Sequence, residues 1–222
     1  FTYQVLVDCY EQVPYTEAMN TAYPSPKYDD GLTVYQGVIA EIDDALAKAS
    51  ESDLVCSNFL FPSAGAQEWV RFANALKLKM YMRISGVADV QSAVDALVAE
   101  GNFPTSDVAW MGCWTDEGGK ANPYFSEEFG SYTSVQKNVS LNLALQGTMS
   151  SYNDARLAAV FDPSSNGNYT GAISGTNFSV SASDHGAGYW CRPAVRFNSP
   201  VYLITVSEVE FFLAEYYAKK DP

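Results

Sequence analysis

Apolar positions recur at spacings of three and four over several stretches of the chain, and each stretch predicts a helix. Between Leu32 and Ala49 the stripe is Tyr35, Val38, Ile42, Ala45 and Ala49, with Glu41, Asp43, Asp44 and Lys48 largely turned away and Asp29-Asp30 standing just before it. The strongest pattern runs from Gln67 to Ser85, where Trp69, Phe72, Leu76, Met80 and Ile84 form one stripe. That stripe predicts that Trp69 is buried against the helix carrying Tyr35. Arg71, Lys77, Lys79 and Arg83 form a basic face on the same segment, expected to be solvated or ion-paired rather than ligand-binding. After Gly86 a shorter helix is expected from Asp89 to Glu100 through Val90, Val94, Leu97 and Val98, stopped by Gly101.

A short apolar run after Pro200 leads into a last predicted helix, Ser207 to Lys219. Ser207 is positioned to cap it, Glu208 and Glu210 suit the positive end of its dipole, and Lys219 and Lys220 suit the negative end. Phe211, Ala214 and Ala218 are its expected core stripe, widened by Phe212 and Leu213. Asp221-Pro222 is a favourable start for another helix. At the opposite end, Phe1 to Tyr10 is periodic from its first residue, without methionine or cap. The chain therefore reads as a portion of a longer polypeptide, truncated at both ends.

The two longest helices lie about one tetratricopeptide period apart, roughly 34 residues. Small residues such as Ala45, Ala47 and Ala49 suit closely paired helices. The expected fold is mainly α: tetratricopeptide-like helical hairpins in residues 1–101 and 200–222, carrying a large irregular insert, 102–199, rich in Gly, Ser, Asn and aromatics. Within the insert Val139, Leu141, Leu143 and Leu145 alternate, but Asn142, Gln146 and Gly147 leave helix and strand both open.

Charge narrows the choice of partner. Thirteen basic against 26 acidic residues give a net charge of −13, the reverse of what a phosphate backbone requires, so a nucleic-acid role is excluded. No apolar run approaches the roughly 18 residues of a membrane span, and no charged region followed by an apolar one marks a targeting signal. Cys9, Cys56, Cys113 and Cys191 are far apart and accompanied by a single histidine, which removes zinc-finger and redox motifs. Two disulfides in three pairings, or free thiols, remain open. The glycosylation triplets at Asn138, Asn168 and Asn177 carry little weight in so Asn-, Ser- and Thr-rich a chain.

Several local signatures occur in a fixed order: Val13-Pro14-Tyr15-Thr16-Glu17-Ala18; Tyr28-Asp29-Asp30 leading to Tyr35; the run Trp69 to Ser85; Asn122-Pro123-Tyr124; Asn153-Asp154-Ala155-Arg156-Leu157; and Thr205 to Glu215. Together they resemble the SusD/RagB family over nearly the whole chain. Gln12 stands where that family usually has a Gly-Asp-like turn, and Ala155 where its Asp-Pro-Arg turn has proline; both bear on turn geometry rather than chemistry. The resemblance implies a surface lipoprotein of a Gram-negative outer membrane, anchored by a lipidated cysteine upstream of Phe1. It further implies capture of glycans as the lid of a SusC-like TonB-dependent transporter.

The chemistry that the residues offer suits binding better than catalysis. His185, the only histidine, sits in Ser183-Asp184-His185-Gly186 without a matching nucleophile and orienting group. Asp116-Glu117 and Glu127-Glu128 are adjacent pairs, and neighbours in sequence rarely place an acid and a base across one glycosidic bond. No phosphate-binding glycine loop occurs. No catalytic residue, metal site or cofactor is expected. Sugar capture needs flat apolar rings with amide or hydroxyl groups at their edges. Trp110 and Trp114, four apart around Gly112 and off any helical stripe, and Tyr189 and Trp190, near Gly186 and Gly188, are the candidate glycan-binding residues. Tryptophan is highly buried on average, so each ring taken singly is better read as filling the core of the insert. A helical-repeat adaptor binding only protein is the alternative, with an unrecognised hydrolase behind it.

Overall fold

The computed structural model describes residues 1–49, 60–61, 65–128, 147, 149–164, 167–171 and 191–220. The chain divides into two compact units, Phe1–Met111 with Val201–Pro222, and Gly112–Pro200. The first unit contains α1 (Thr2–Tyr10), α2 (Gly31–Lys48), α3 (Ala66–Ile84), α4 (Gln91–Glu100), β1 (Val108–Trp110), β4 (Val201–Ile204) and α7 (Val206–Lys220). The second contains α5 (Pro123–Glu128), α6 (Arg156–Val160), β2 (Phe161–Asp162) and β3 (Arg192–Pro193).

Helix α2 starts where Asp30 accepts a hydrogen bond from the Thr33 amide at 3.0 Å, satisfying one of the free donors of its first turn. Helix α4 ends at Gly101, whose φ of +64° an L side chain would resist. Before α2, Asp29 pairs with Val13 as a single antiparallel bridge, and its buried carboxylate accepts from the amides of Tyr15 (3.2 Å) and Thr16 (2.7 Å) and from the Thr16 hydroxyl. These donors hold the Asp29 carboxyl below the usual carboxylate range. The loop so fixed lays Tyr15 across α2 at Gly37, where a Cβ would come within 2.4 Å of the ring. The Tyr15 hydroxyl donates to Glu41 at 2.7 Å, and burial with that carboxylate pushes the phenol up to about 12.

Helix α3 is the centre of the first unit and faces two cores. Leu76, Met80 and Ile84 pack with Val7, Val13, Val34, Tyr35, Val38 and Ile39 from the α1–α2 side. Phe72, Ala75, Leu78 and Met82 pack with Val94, Leu97, Val108, Ile204, Val209 and Tyr216. The single stripe read from the sequence is therefore two adjoining faces. Trp69 lies on the second: half-buried, its ring stands edge-on to Phe61 at 5.1 Å and packs toward Phe72, rather than against the helix of Tyr35. Trp69 and Leu76 stand about two turns apart, but at about 100° per residue the stripe widens to about 120° between Phe72 and Ile84, enough to face two neighbours.

All four cations of α3 are ion-paired. Arg71 meets Glu68 within the helix, Lys77 meets Asp43 of α2, Lys79 meets Glu208 of α7 at 2.9 Å, and Arg83 meets Asp8 of α1 at 3.4 Å. Each of the three long-range pairs ties α3 to a different helix.

Strands β1 and β4 form an antiparallel ribbon with Val108 opposite Ile204, Ala109 opposite Tyr202 and Trp110 opposite Val201, and a bulge between the first two pairs. Directly after β4, Thr205 accepts from the Glu208 amide at 3.1 Å and Asp107 accepts from the Val206 amide at 2.8 Å. The cap of α7 is thus Thr205 with help from across the ribbon, and Ser207 lies inside the first turn. The face of α7 also differs from expectation. Val209 and Tyr216 are buried and Phe212 and Leu213 half-buried, whereas Phe211 is 76% exposed and Ala214 and Ala218 face solvent. Apolar residues encircle the helix, so periodicity alone cannot choose its inner side. The Glu208–Lys79 pair sets the rotation, placing Glu208, Phe212 and Tyr216, one turn apart, toward α3 and α4.

In the second unit the described residues are joined mainly by polar contacts. Asn122, 3% exposed, donates its amide side chain to the Ser199 carbonyl at 2.8 Å and accepts from the Phe125 amide. Asp162 receives both guanidinium nitrogens of Arg196 at 2.7 Å, beside the two-residue pairing of β2 with β3. Asp154 accepts from the Arg156 amide at 2.9 Å and grips its guanidinium, which holds this turn without the proline. The same arginine draws the Asp154 carboxyl down to about 2. Cys9, Cys113 and Cys191 are free thiols, so two disulfides do not form.

Candidate ligand-binding surface

Strand β1 ends at Trp110, 43% exposed, and the exposed Met111 follows it directly. Val108 and Ala109 are buried ahead of them, so the ribbon is rooted in the core of the first unit while its tip projects an indole. Tyr202, 53% exposed, lies opposite Ala109 and hence on the other face of the ribbon from Trp110. An exposed indole held on a strand is chemically suited to stacking against the C–H face of a pyranose.

Trp114 differs. It belongs to the second unit, is half-buried, and its indole N–H is enclosed without an acceptor among the described residues. Trp110 belongs to the first unit, so the two tryptophans that sequence spacing placed together are held by separate units. Tyr189 and Trp190 lie outside the described residues, as do His185, Cys56 and the alternating run from Val139 to Leu145. Tyr202, an exposed aromatic, is not singled out in the sequence, and Tyr124, also exposed, figures there only within a family signature. For Tyr202 strict alternation gives the opposite signal, since it shares parity with the buried Ile204; the bulge between their two pairings breaks that alternation.

The carboxylate pair Asp116-Glu117 sits on an exposed turn in which the Lys120 amide donates to the Glu117 carbonyl at 3.0 Å and the Lys120 ammonium pairs with the Glu117 carboxylate at 2.5 Å. General-acid use of a carboxyl relies on an enclosed, desolvated setting, which an exposed ion-paired turn does not supply. Among the described residues no group of three or more His, Cys, Asp or Glu is placed to hold a metal, and no helix is long and apolar enough to cross a membrane.

Charge is partitioned between the units. Gly112–Pro200 contains seven acidic and five basic residues, so nearly all of the acidic surplus lies in the helical unit. Three of the insert's cations, Lys120, Arg156 and Arg196, are held by Glu117, Asp154 and Asp162 respectively. Repulsion of acidic polymers, expected from the net charge of the whole chain, is therefore weak at the insert itself.

Paired helices around α3, interrupted by a loop-rich unit that enters from β1 and returns into β4, define a tetratricopeptide-like scaffold bearing an irregular insert. The chain belongs to the SusD-like family, whose model, described as starch-binding and associating with the outer membrane, matches residues 1–221. Its fold is shared with several solved proteins. An outer membrane protein of Bacteroides vulgatus, described as involved in nutrient binding, superposes with a TM-score of 0.78 at 21% identity over 98% of this chain and 52% of its own. A SusD homologue of Bacteroides uniformis gives 0.78 at 23% identity over 96% and 45%. A chitin-binding SusD homologue of Flavobacterium johnsoniae gives 0.68 at 24% identity over 95% and 44%. The chain thus spans about half the length of these relatives. No curated protein matches it.

Proposed function

We propose that this chain is part of a cell-surface glycan-binding subunit that captures oligosaccharide or polysaccharide and delivers it to a SusC-like TonB-dependent transporter. It would be a surface-exposed lipoprotein of the outer membrane, held by a lipid anchor upstream of Phe1. It would bind rather than cleave its ligand. Family membership supports this reading, as does the relative described as chitin-binding. The observation that carries it to particular residues is Trp110, an indole exposed at the tip of a core-anchored ribbon. Trp110 leads the glycan contacts; Trp114, Tyr189 and Trp190 remain candidates. The paired cations of the insert favour a neutral glycan over a uronate or sulfated one, since an anion would have to break carboxylate pairs already formed.

A glycan array followed by calorimetry tests this reading. Trp110→Ala is expected to weaken the selected glycan by about 5- to 150-fold, the range of one lost stacked ring by analogy with base–aromatic contacts, while leaving circular dichroism unchanged. Trp114→Ala should chiefly lower stability, because its ring is half-buried. Wild-type affinity in Trp110→Ala would move the platform elsewhere. A protein that binds no glycan would favour the helical adaptor, and turnover of a bound glycan would favour a hydrolase.

A further inference from the structure

Helices α3, α4 and α7 leave between them a cavity of about 240 Å³, lined by none of the aromatic residues considered above as glycan contacts. Its apolar wall is Met82, Val90 and Val94, and its polar rim is Asp95, Tyr216 and Lys220. Met82 and Val94 are core residues of the first unit, so that wall is rigid.

The rim already displays the chemistry it accepts. The Lys220 ammonium donates to Asp95 Oδ1 at 3.1 Å and to the Tyr216 hydroxyl at 2.9 Å, and lies 5.2 Å from the centre of the Tyr216 ring. The Tyr216 hydroxyl donates to the same Oδ1 at 2.5 Å and the Gln91 amide to it at 3.0 Å. Three donors therefore converge on one carboxylate oxygen, and Oδ2 has no donor among the described residues. A carboxylate beside an aromatic ring is a cradle for a cation, because the ring's negative face and the full negative charge act together. Lys219, the other rim cation, is engaged by Glu215 at 2.5 Å.

We propose that this cavity binds a primary ammonium group carried on a short aliphatic or sugar body, the ammonium meeting Asp95 and Tyr216 and the body lying on Met82, Val90 and Val94. Lys220 occupies the cradle from within the chain and competes with the incoming cation. At about 240 Å³ the cavity is smaller than the roughly 300–1,000 Å³ of ordinary ligand pockets, so it takes a single side chain or monosaccharide rather than a larger molecule. The two sources of such a group are a lysine side chain of a protein partner and an amino sugar. The assignment does not depend on the glycan-binding reading.

The test titrates the full chain, by calorimetry or NMR, with Nα-acetyl-lysine methylamide and with glucosamine, using the Nε-acetylated and N-acetylated counterparts as controls that lack the charge. The charged probes should bind at least about tenfold more tightly than their acetylated forms, and Lys220→Met should strengthen them about tenfold by removing the competitor. Asp95→Asn should abolish the difference between charged and acetylated probes. Tighter binding of the lysine probe assigns the cavity to a protein partner, and tighter binding of glucosamine to an amino sugar. Lys220 is the last residue of α7 and exposed, so Lys220→Met keeps the fold, and its probe comparison decides the matter even if Asp95→Asn unfolds. Equal binding of charged and acetylated probes to Lys220→Met, or binding of neither, would show that the cluster only staples α7 to α4 and would overturn the proposal.

Discussion

Thr205 illustrates how one side chain can be overlooked when its neighbour has the same chemistry. Thr205 and Ser207 both precede Glu208, and the serine sits closer to the apolar run. The choice is made by the ribbon: β4 ends at Ile204, so Thr205 is the first residue free to leave extended geometry, and Asp107 reaches across from the start of β1 to the Val206 amide. Thr205→Ala should therefore cost about 1 kcal/mol in urea unfolding, while Ser207→Ala stays within about 0.5 kcal/mol. A reversed order would return the cap to Ser207. For α2 the sequence marks the start, Asp29-Asp30, without choosing between them, and Asp30 is the residue that caps the helix. The role of Asp29 beside it was not legible: its three donors come from Tyr15 and Thr16, a contact that only the folded loop creates.

Helices were legible wherever apolar spacing and a terminator coincided, as at Gly101, and less so where a helix is apolar all round. In α7 two stripes compete, Phe211–Ala214–Ala218 and Val209–Phe212–Tyr216, with equal periodicity. Long-range contacts decide between them, namely Glu208 with Lys79 and Tyr216 with Asp95, and neither pairing is encoded in local spacing. The inner and outer stripes make opposite forecasts. Tyr216→Ala should destabilise the chain by at least about 2 kcal/mol, since it empties a buried aromatic position. Phe211→Ser should change stability by less than about 0.5 kcal/mol, because that ring is mostly in water. Chemical denaturation of the two variants side by side separates the outcomes, and a large loss for Phe211→Ser would mean that the outer stripe is covered. The same reasoning explains Trp69: the stripe was real, but α3 divides it between two cores that the sequence presents as one.

The molecule as a whole separates scaffold from insert in charge as well as in regularity. Composition located the acidic surplus in the chain but not in space, and its concentration in the helical unit follows only once the units are drawn. The candidate site was partly legible: Trp110 is exposed as a platform residue requires, whereas Trp114 fits the opposite expectation, that an average tryptophan is packed inward. The difference is one of strand register. Trp110 is the first residue of its strand to pass beyond the buried pair Val108 and Ala109, and no composition rule reports that.

Because Trp110 and Val201 stand opposite each other on adjacent strands, the chain leaves the helical unit and re-enters it through a single doorway one strand-spacing wide, about 4.8 Å. Everything between behaves topologically as an exchangeable cassette. Replacing residues 112–200 with a short Asn-Gly hairpin turn should leave a miniature with helical circular dichroism and cooperative unfolding, because the closure asks nothing of α1 to α4 or α7. A miniature without cooperative unfolding would show that the scaffold leans on its passenger. Lineages that retain this doorway are free to exchange one contiguous stretch of gene with the helical cores untouched.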